Sequence, residues 1–86
     1  MSGDPGVLVL AATPIGDPRD AAPRLAAELS TAEVVAAEDT RRLRRLCADL
    51  GVAPSGQVVS FHEHNEHARA ADLVERLLAG DRVLVV

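Results

Sequence analysis

Three times along this 86-residue chain a short aliphatic run gives way to a polar tip and then to a stretch of helical spacing, and a fourth such run closes the sequence. The runs are Val7–Ala12, Val34–Ala37, the segment holding Val58, Val59 and Phe61, and Arg82–Val86. Each is too short for a helix and rich in β-branched residues, as expected of strands covered on both faces. Strands that alternate with helices through short connections close by right-handed crossovers. The spacing therefore predicts an α/β fold: an open parallel sheet of about four strands with helices on both faces.

The segments between the runs fill in that plan. Residues 1–6 hold Ser, Asp, Pro and two Gly and read as a disordered leader, with one α/β domain over residues 7–86. Thr13 to Pro18 is a breaker-rich turn in which Gly16 admits a positive φ. A first helix is expected from Asp20 as N-cap to about Ser30, with Pro23 in its first turn and Leu25, Ala26 and Leu29 inward. After Val34–Ala37, Asp39 and Thr40 can cap a second helix. Leu43, Leu46, Cys47 and Leu50 form its apolar stripe, and Gly51 ends it. Pro54, Ser55 and Gly56 then make a loop. Asn65 is the expected N-cap of a third helix over Glu66–Ala79, with Leu73, Val74, Leu77 and Leu78 inward and Gly80 beyond. The last run would then be a strand with no helix to cover it. That implies a domain truncated before the rest of a longer protein, and an apolar edge that favours a homodimer.

Composition narrows the function classes. The net charge of −4 excludes a chain that grips nucleic acid over its whole surface, although a local basic patch remains open. All nine basic residues are arginine, which reads first as compositional bias and second as a preference for bidentate phosphate contacts. Phe61 is the only aromatic residue, so the core is built from small aliphatics and little is left for stacking on bases. Cys47 lies on the apolar stripe of a helix and is expected in the core, with no second cysteine to pair with. Neither a long apolar span nor a secretory leader is evident, so a cytoplasmic location away from membranes is expected.

Chemistry-bearing residues gather at three strand tips. The first, Thr13-Pro14-Ile15-Gly16-Asp17, lacks both the dinucleotide glycine pattern and the lysine of a phosphate loop. The second, Glu38-Asp39-Thr40-Arg41, can hold a ribose hydroxyl through a carboxylate, or can equally be a capped helix start with Glu38 paired to Arg41. Beyond it, Arg41, Arg42, Arg44 and Arg45 form either a solvated face or a phosphate-binding one. The third, His62-Glu63-His64-Asn65-Glu66-His67, suggests a metal site. No cysteine or further ligand at structural spacing supports one, and the segment straddles a strand-to-helix transition. His62 or His64 as a hydrogen-bonding or proton-transfer group is the competing role.

Together, Ala12-Thr13-Pro14-Ile15-Gly16, Ala37-Glu38-Asp39-Thr40-Arg41 and His62-Glu63-His64-Asn65-Glu66 resemble the opening of the tetrapyrrole methylase family. The likeness is to its branch that methylates a cytidine ribose 2′-hydroxyl of 16S rRNA in the small ribosomal subunit. The three blocks stand in order and cover nearly the whole of Val7–Val86. The resemblance implies S-adenosyl-L-methionine as cofactor, bound in a cleft between two α/β domains of which this chain holds only the first, so that the chain alone is inactive. It implies Thr13, Pro14, Ile15 and Gly16 on the cofactor side. Glu38 and His62 become candidates, left unranked, to assist the hydroxyl, with Asp39, Thr40, Arg41, Arg42, Arg45, His64 and Asn65 on the RNA side and no metal. Asp17 replaces a usual Asn, and Leu43 a common Thr. The alternatives are a non-catalytic RNA-contacting or assembly module, and a methylase acting on a corrinoid or other tetrapyrrole.

Overall fold

The computed structural model describes residues 5–14 and 16–86. It contains four strands, β1 (Val7–Leu10), β2 (Val34–Ala37), β3 (Gln57–Ser60) and β4 (Arg82–Val85), and three helices, α1 (Pro23–Thr31), α2 (Thr40–Leu50) and α3 (Glu66–Leu78). All strand pairs are parallel, in the order β1-β4-β2-β3. The expected open parallel α/β sheet is what forms.

Alternation along the strands distributes the core over two layers. Val35, Ala37 and Leu84 point to one face, where Leu25 and Leu29 of α1 and Leu43 and Cys47 of α2 cover them. Val34, Ala36 and Val83 point to the other face, against Leu73 of α3. The helices thus lie on both faces, as the spacing predicts.

The sequence misplaces the uncovered strand. β4 is not exposed: it lies between β1 and β2, and Val83 and Leu84 are fully buried. The open edges are β1 and β3, and β1, expected to be buried, pairs only with β4 and leaves Leu8 51% and Leu10 74% exposed. Continuous apolarity marks strands of both kinds, so the pattern cannot tell an edge from a centre. Residues 1–4 of the expected leader lie outside the described residues, but Gly6 is fastened, its N–H donating to Leu77 O at 3.0 Å.

Helix boundaries differ where proline and side-chain chemistry intervene. Asp20 does not cap α1. Pro18–Asp20 form a separate 3-10 turn, and α1 starts at Pro23 behind Ala22 with no side-chain cap. Proline at the first helical position has no N–H to satisfy and a φ already set for the helix, which favours a start at Pro23. On α3, Leu73 is buried and Leu77 half-buried, but Val74 is 52% and Leu78 81% exposed, contrary to the expected inward row. The other side of that helix is turned to β3, where Arg69 Nε donates to Ser60 O at 3.1 Å and Arg76 reaches Gln57. Gly51 adopts φ 72° and closes α2, as its position predicts.

One buried charge was not foreseen. Glu28 faces the sheet from α1, 6% exposed, and takes both Nε (2.8 Å) and Nη2 (2.5 Å) of Arg82 from the start of β4. This two-point pair holds the Glu28 carboxyl below its usual range and ties α1 to the amino end of the central strand.

Candidate functional site

The topology fixes where a ligand can enter. β2 leads through Glu38 and Asp39 into α2, whereas its neighbour β3 leads through Phe61–Asn65 into α3 on the opposite face. Adjacent parallel strands that depart to opposite faces open a crevice beyond their carboxyl ends. Two adjoining clefts occupy this edge. The first, about 310 Å³, is lined by Thr13 and Pro14 from the β1 tip, by Ala37, Glu38 and Asp39 from the β2 tip, by Arg42, Leu43 and Leu46 of α2, and by Val86. The second, about 900 Å³ and broadly open, runs from Glu38, Asp39, Thr40 and Arg41 across Val86 to Ser60, Phe61, His62, Glu63, His64 and Glu66. Glu38, Asp39 and Val86 border both.

The β2 tip is held by its own chemistry. Asp39 is extended (φ −125°, ψ 104°), and its Oδ1 accepts from the N–H groups of Arg41 (3.0 Å) and Arg42 (3.2 Å). These are two of the free donors of the first turn of α2, so Asp39 is the N-cap that the sequence predicts. Thr40 is instead the first helical residue. Glu38 stands exposed just before the cap. Among the described residues it makes no ion pair with Arg41, and none of Arg41, Arg42, Arg44 and Arg45 pairs with a carboxylate.

The β3 tip is braced by Asn65. Its side chain does not cap α3; Oδ1 accepts from His62 N–H at 2.9 Å, while Nδ2 donates to Ser60 Oγ at 3.0 Å and to Ser60 O at 3.3 Å. His62 is half-buried and lines the second cleft, and its Nδ1 accepts from His64 N–H at 3.2 Å. The His62 and His64 rings meet edge to face at 5.7 Å. Among the described residues no three His, Cys, Asp or Glu side chains are grouped to hold a metal ion.

Thr13, Pro14, Glu38, Asp39, Thr40, Arg41, Arg42, His62 and His64 therefore converge on one edge, whereas Asn65 supports it from behind. Gly16 and Arg45 line neither cleft, and Ile15 lies outside the described residues. Asp17 also faces neither cleft: Arg19 engages it, with Nη2 at 2.7 Å, and lowers its carboxyl below the usual range. Val86 and the aliphatic floor of Leu43 and Leu46 were missed by motif reasoning, which attends to polar residues. The i, i+3 placement of the two leucines was the available signal, but it reads equally well as core. Cys47 is buried, and burial pushes its thiol up, as befits a packing residue.

An open parallel sheet of four strands with helices on both faces, its polar strand tips lining two adjoining clefts at the carboxyl edge, defines the class: an open-sheet α/β domain. No profile of a known protein family matches the chain. Individual curated proteins do. Ribosomal RNA small subunit methyltransferase I of Mycobacterium tuberculosis is 52% identical over 81 residues, 94% of this chain and 28% of its own length. The proteins of that name from Synechocystis (38% over 81 residues) and Bacillus subtilis (35% over 83 residues) match over 94% and 96% of the chain, again at 28% of their own lengths. Across nearly its whole length the chain is a homologue of ribosomal RNA small subunit methyltransferase I, as the three motif blocks imply, and it spans under a third of those relatives. No helix among the described residues is long and apolar enough to cross a membrane.

Proposed function

We propose that this chain forms one wall of an S-adenosyl-L-methionine-dependent methyltransferase site that modifies a cytidine ribose 2′-hydroxyl of 16S rRNA. The observation that carries the reading is the placement of the three motif tips along one edge of the sheet, on two adjoining clefts joined by the β2 tip, in a chain 52% identical to a named ribosomal RNA methyltransferase. Residues 7–86 would act as a single α/β unit of a longer two-domain enzyme of the tetrapyrrole methylase type. Since the relatives are more than three times as long, the 86 residues alone are expected to be inactive.

The first cleft fits the methyl donor chemically. Its aliphatic floor of Ala37, Leu43, Leu46 and Val86 suits an apolar body, and Glu38 and Asp39 suit a sulfonium and an ammonium. Bound there, the donor supplies a methyl group on a positively charged sulfur. A ribose oxygen taking that methyl group would have to give its hydroxyl proton to a nearby acceptor. Glu38 borders both clefts and is one candidate acceptor, and His62 is the other. Arg41, Arg42 and Arg45, free of carboxylate partners among the described residues, would take phosphates, with Thr40 and His64 beside them. Phe61 and the other cleft residues offer little stacking, so RNA would be read by shape, phosphates and polar edges. The free edge of β1, with Leu8 and Leu10 exposed, supports a homodimer as the assembly.

The test is fluorescence anisotropy of a short single-stranded 16S-derived RNA with the 86-residue chain, in parallel with calorimetric titration of S-adenosyl-L-methionine. Salt-sensitive RNA binding that the R41A/R42A/R45A variant weakens is expected. RNA binding indifferent to those arginines would refute the assigned surface. RNA binding by a full-length relative that neither takes up the donor nor methylates small subunits would favour a non-catalytic module.

A further inference from the structure

Glu38 borders both clefts and His62 only the second, and the hydrogen bonds around the imidazole separate their roles further. His62 is fixed at its backbone, where its N–H donates to Asn65 Oδ1 at 2.9 Å, and Asn65 is anchored in turn to Ser60. It is fixed again at its ring, where Nδ1 accepts the His64 N–H at 3.2 Å. A neutral imidazole has one protonated and one bare nitrogen, and a nitrogen that accepts a hydrogen bond is the bare one. With Nδ1 bare, the proton sits on Nε2. The nitrogen left free is therefore a donor.

We infer that His62 is a substrate-holding residue that donates its Nε2–H to an oxygen of the bound nucleotide, a phosphate or ribose oxygen, and that Glu38 is the group left to accept the hydroxyl proton. This rests on the reading of the second cleft as the RNA side. The division is chemically consistent. A base in the Nε2–H form would first have to lose its bond to His64 and shift its proton to Nδ1, whereas a carboxylate accepts without rearrangement. The loop is built in advance for the donor role, because the Ser60–Asn65–His62–His64 chain of hydrogen bonds sets the ring before any ligand arrives.

Two measurements test this. In the ¹⁵N-labelled chain at alkaline pH, long-range ¹H–¹⁵N correlation should show the His62 ring protonated at Nε2 and bare at Nδ1; a ring protonated at Nδ1 overturns the inference. The second uses the amide side chains as partial mimics of imidazole. Gln can place its NH₂ near the Nε2 position, and Asn can offer its oxygen near Nδ1 only. With the short 16S-derived RNA as probe, H62Q should bind within about threefold of the unsubstituted chain, while H62N and H62A lose about tenfold or more, the loss expected for a donor to a charged oxygen. Equal binding by all three variants also overturns it. Should the unsubstituted chain bind no RNA, the proposed function fails, while the ring measurement still decides the protonation state.

Discussion

Asp39 serves the fold and borders both clefts, and substitution can separate the two roles. Asp39→Ala removes the acceptor of the Arg41 and Arg42 N–H groups. Both donors sit at an exposed helix start, where water can replace the lost oxygen, so the cost is that of an ordinary N-cap, about 1 kcal/mol. The loss of a negative charge beside the positive end of α2 adds roughly 0.3–0.5 kcal/mol at low salt. For a domain of this size the sum corresponds to a fall in Tm of about 5–10 °C. Asp39→Asn keeps an oxygen in the capping position and gives up only the charge, so it should stay within about 0.5 kcal/mol of the parent. Thermal unfolding followed by circular dichroism, with urea titration as a check, measures both. Equal destabilisation by Asn and Ala, or none by Ala, would refute the capping account. An Asn variant that is stable but altered in RNA binding would show that the charge itself serves the crevice.

Other substitutions test the remaining supports. Leu29→Ala opens a void at a fully buried position between α1 and the sheet; urea unfolding should show a loss of about 2–5 kcal/mol, a large share of the total for so short a chain. Gly51→Ala forces a side chain into φ 72° at the end of α2 and should cost about 1 kcal/mol, read as a lower urea midpoint with unchanged slope. The Glu28–Arg82 pair lowers the acid's pKa, so its stabilisation is complete above the ordinary glutamate value of 4.5 and is lost as pH falls through the lower folded value. Glu28→Gln should therefore be less stable near neutrality and lose less Tm on acidification. Parallel Tm–pH curves for the two proteins would contradict this. Concentration-dependent sedimentation should reveal self-association that Leu10→Lys reduces, and a monomer at every concentration would remove the edge of β1 as its seat.

Local chemistry was legible wherever one residue decides the outcome. Val34–Ala37, the Asp39 cap, the stripe of Leu43 and Cys47, and the stop at Gly51 all stand where the sequence puts them. So does the convergence of the three tips, because parallel strands necessarily place their carboxyl ends on one side. Features set by distant partners were not legible. That β4 inserts beside β1 depends on pairing across 75 positions of sequence, Val7 with Arg82. That Val74 and Leu78 stay exposed depends on which side of α3 meets β3. Asn65 is placed correctly as the residue before α3, but its side chain turns back to the loop, since His62 N–H and Ser60 offer partners that spacing alone does not reveal.

The strand order also shapes how the chain reaches its native state. Among the four strands β1 comes earliest in the chain, yet its sole partner within the sheet, β4, follows 75 positions later, Val7 pairing with Arg82. Until residues 82–85 emerge, only the β2–β3 ladder can form, and the Val-Leu-Val-Leu segment waits unpaired. Such long-range closure slows folding and leaves a sticky strand exposed in the nascent chain. Removal of Arg82–Val85 should therefore release Val7–Leu10 from the sheet.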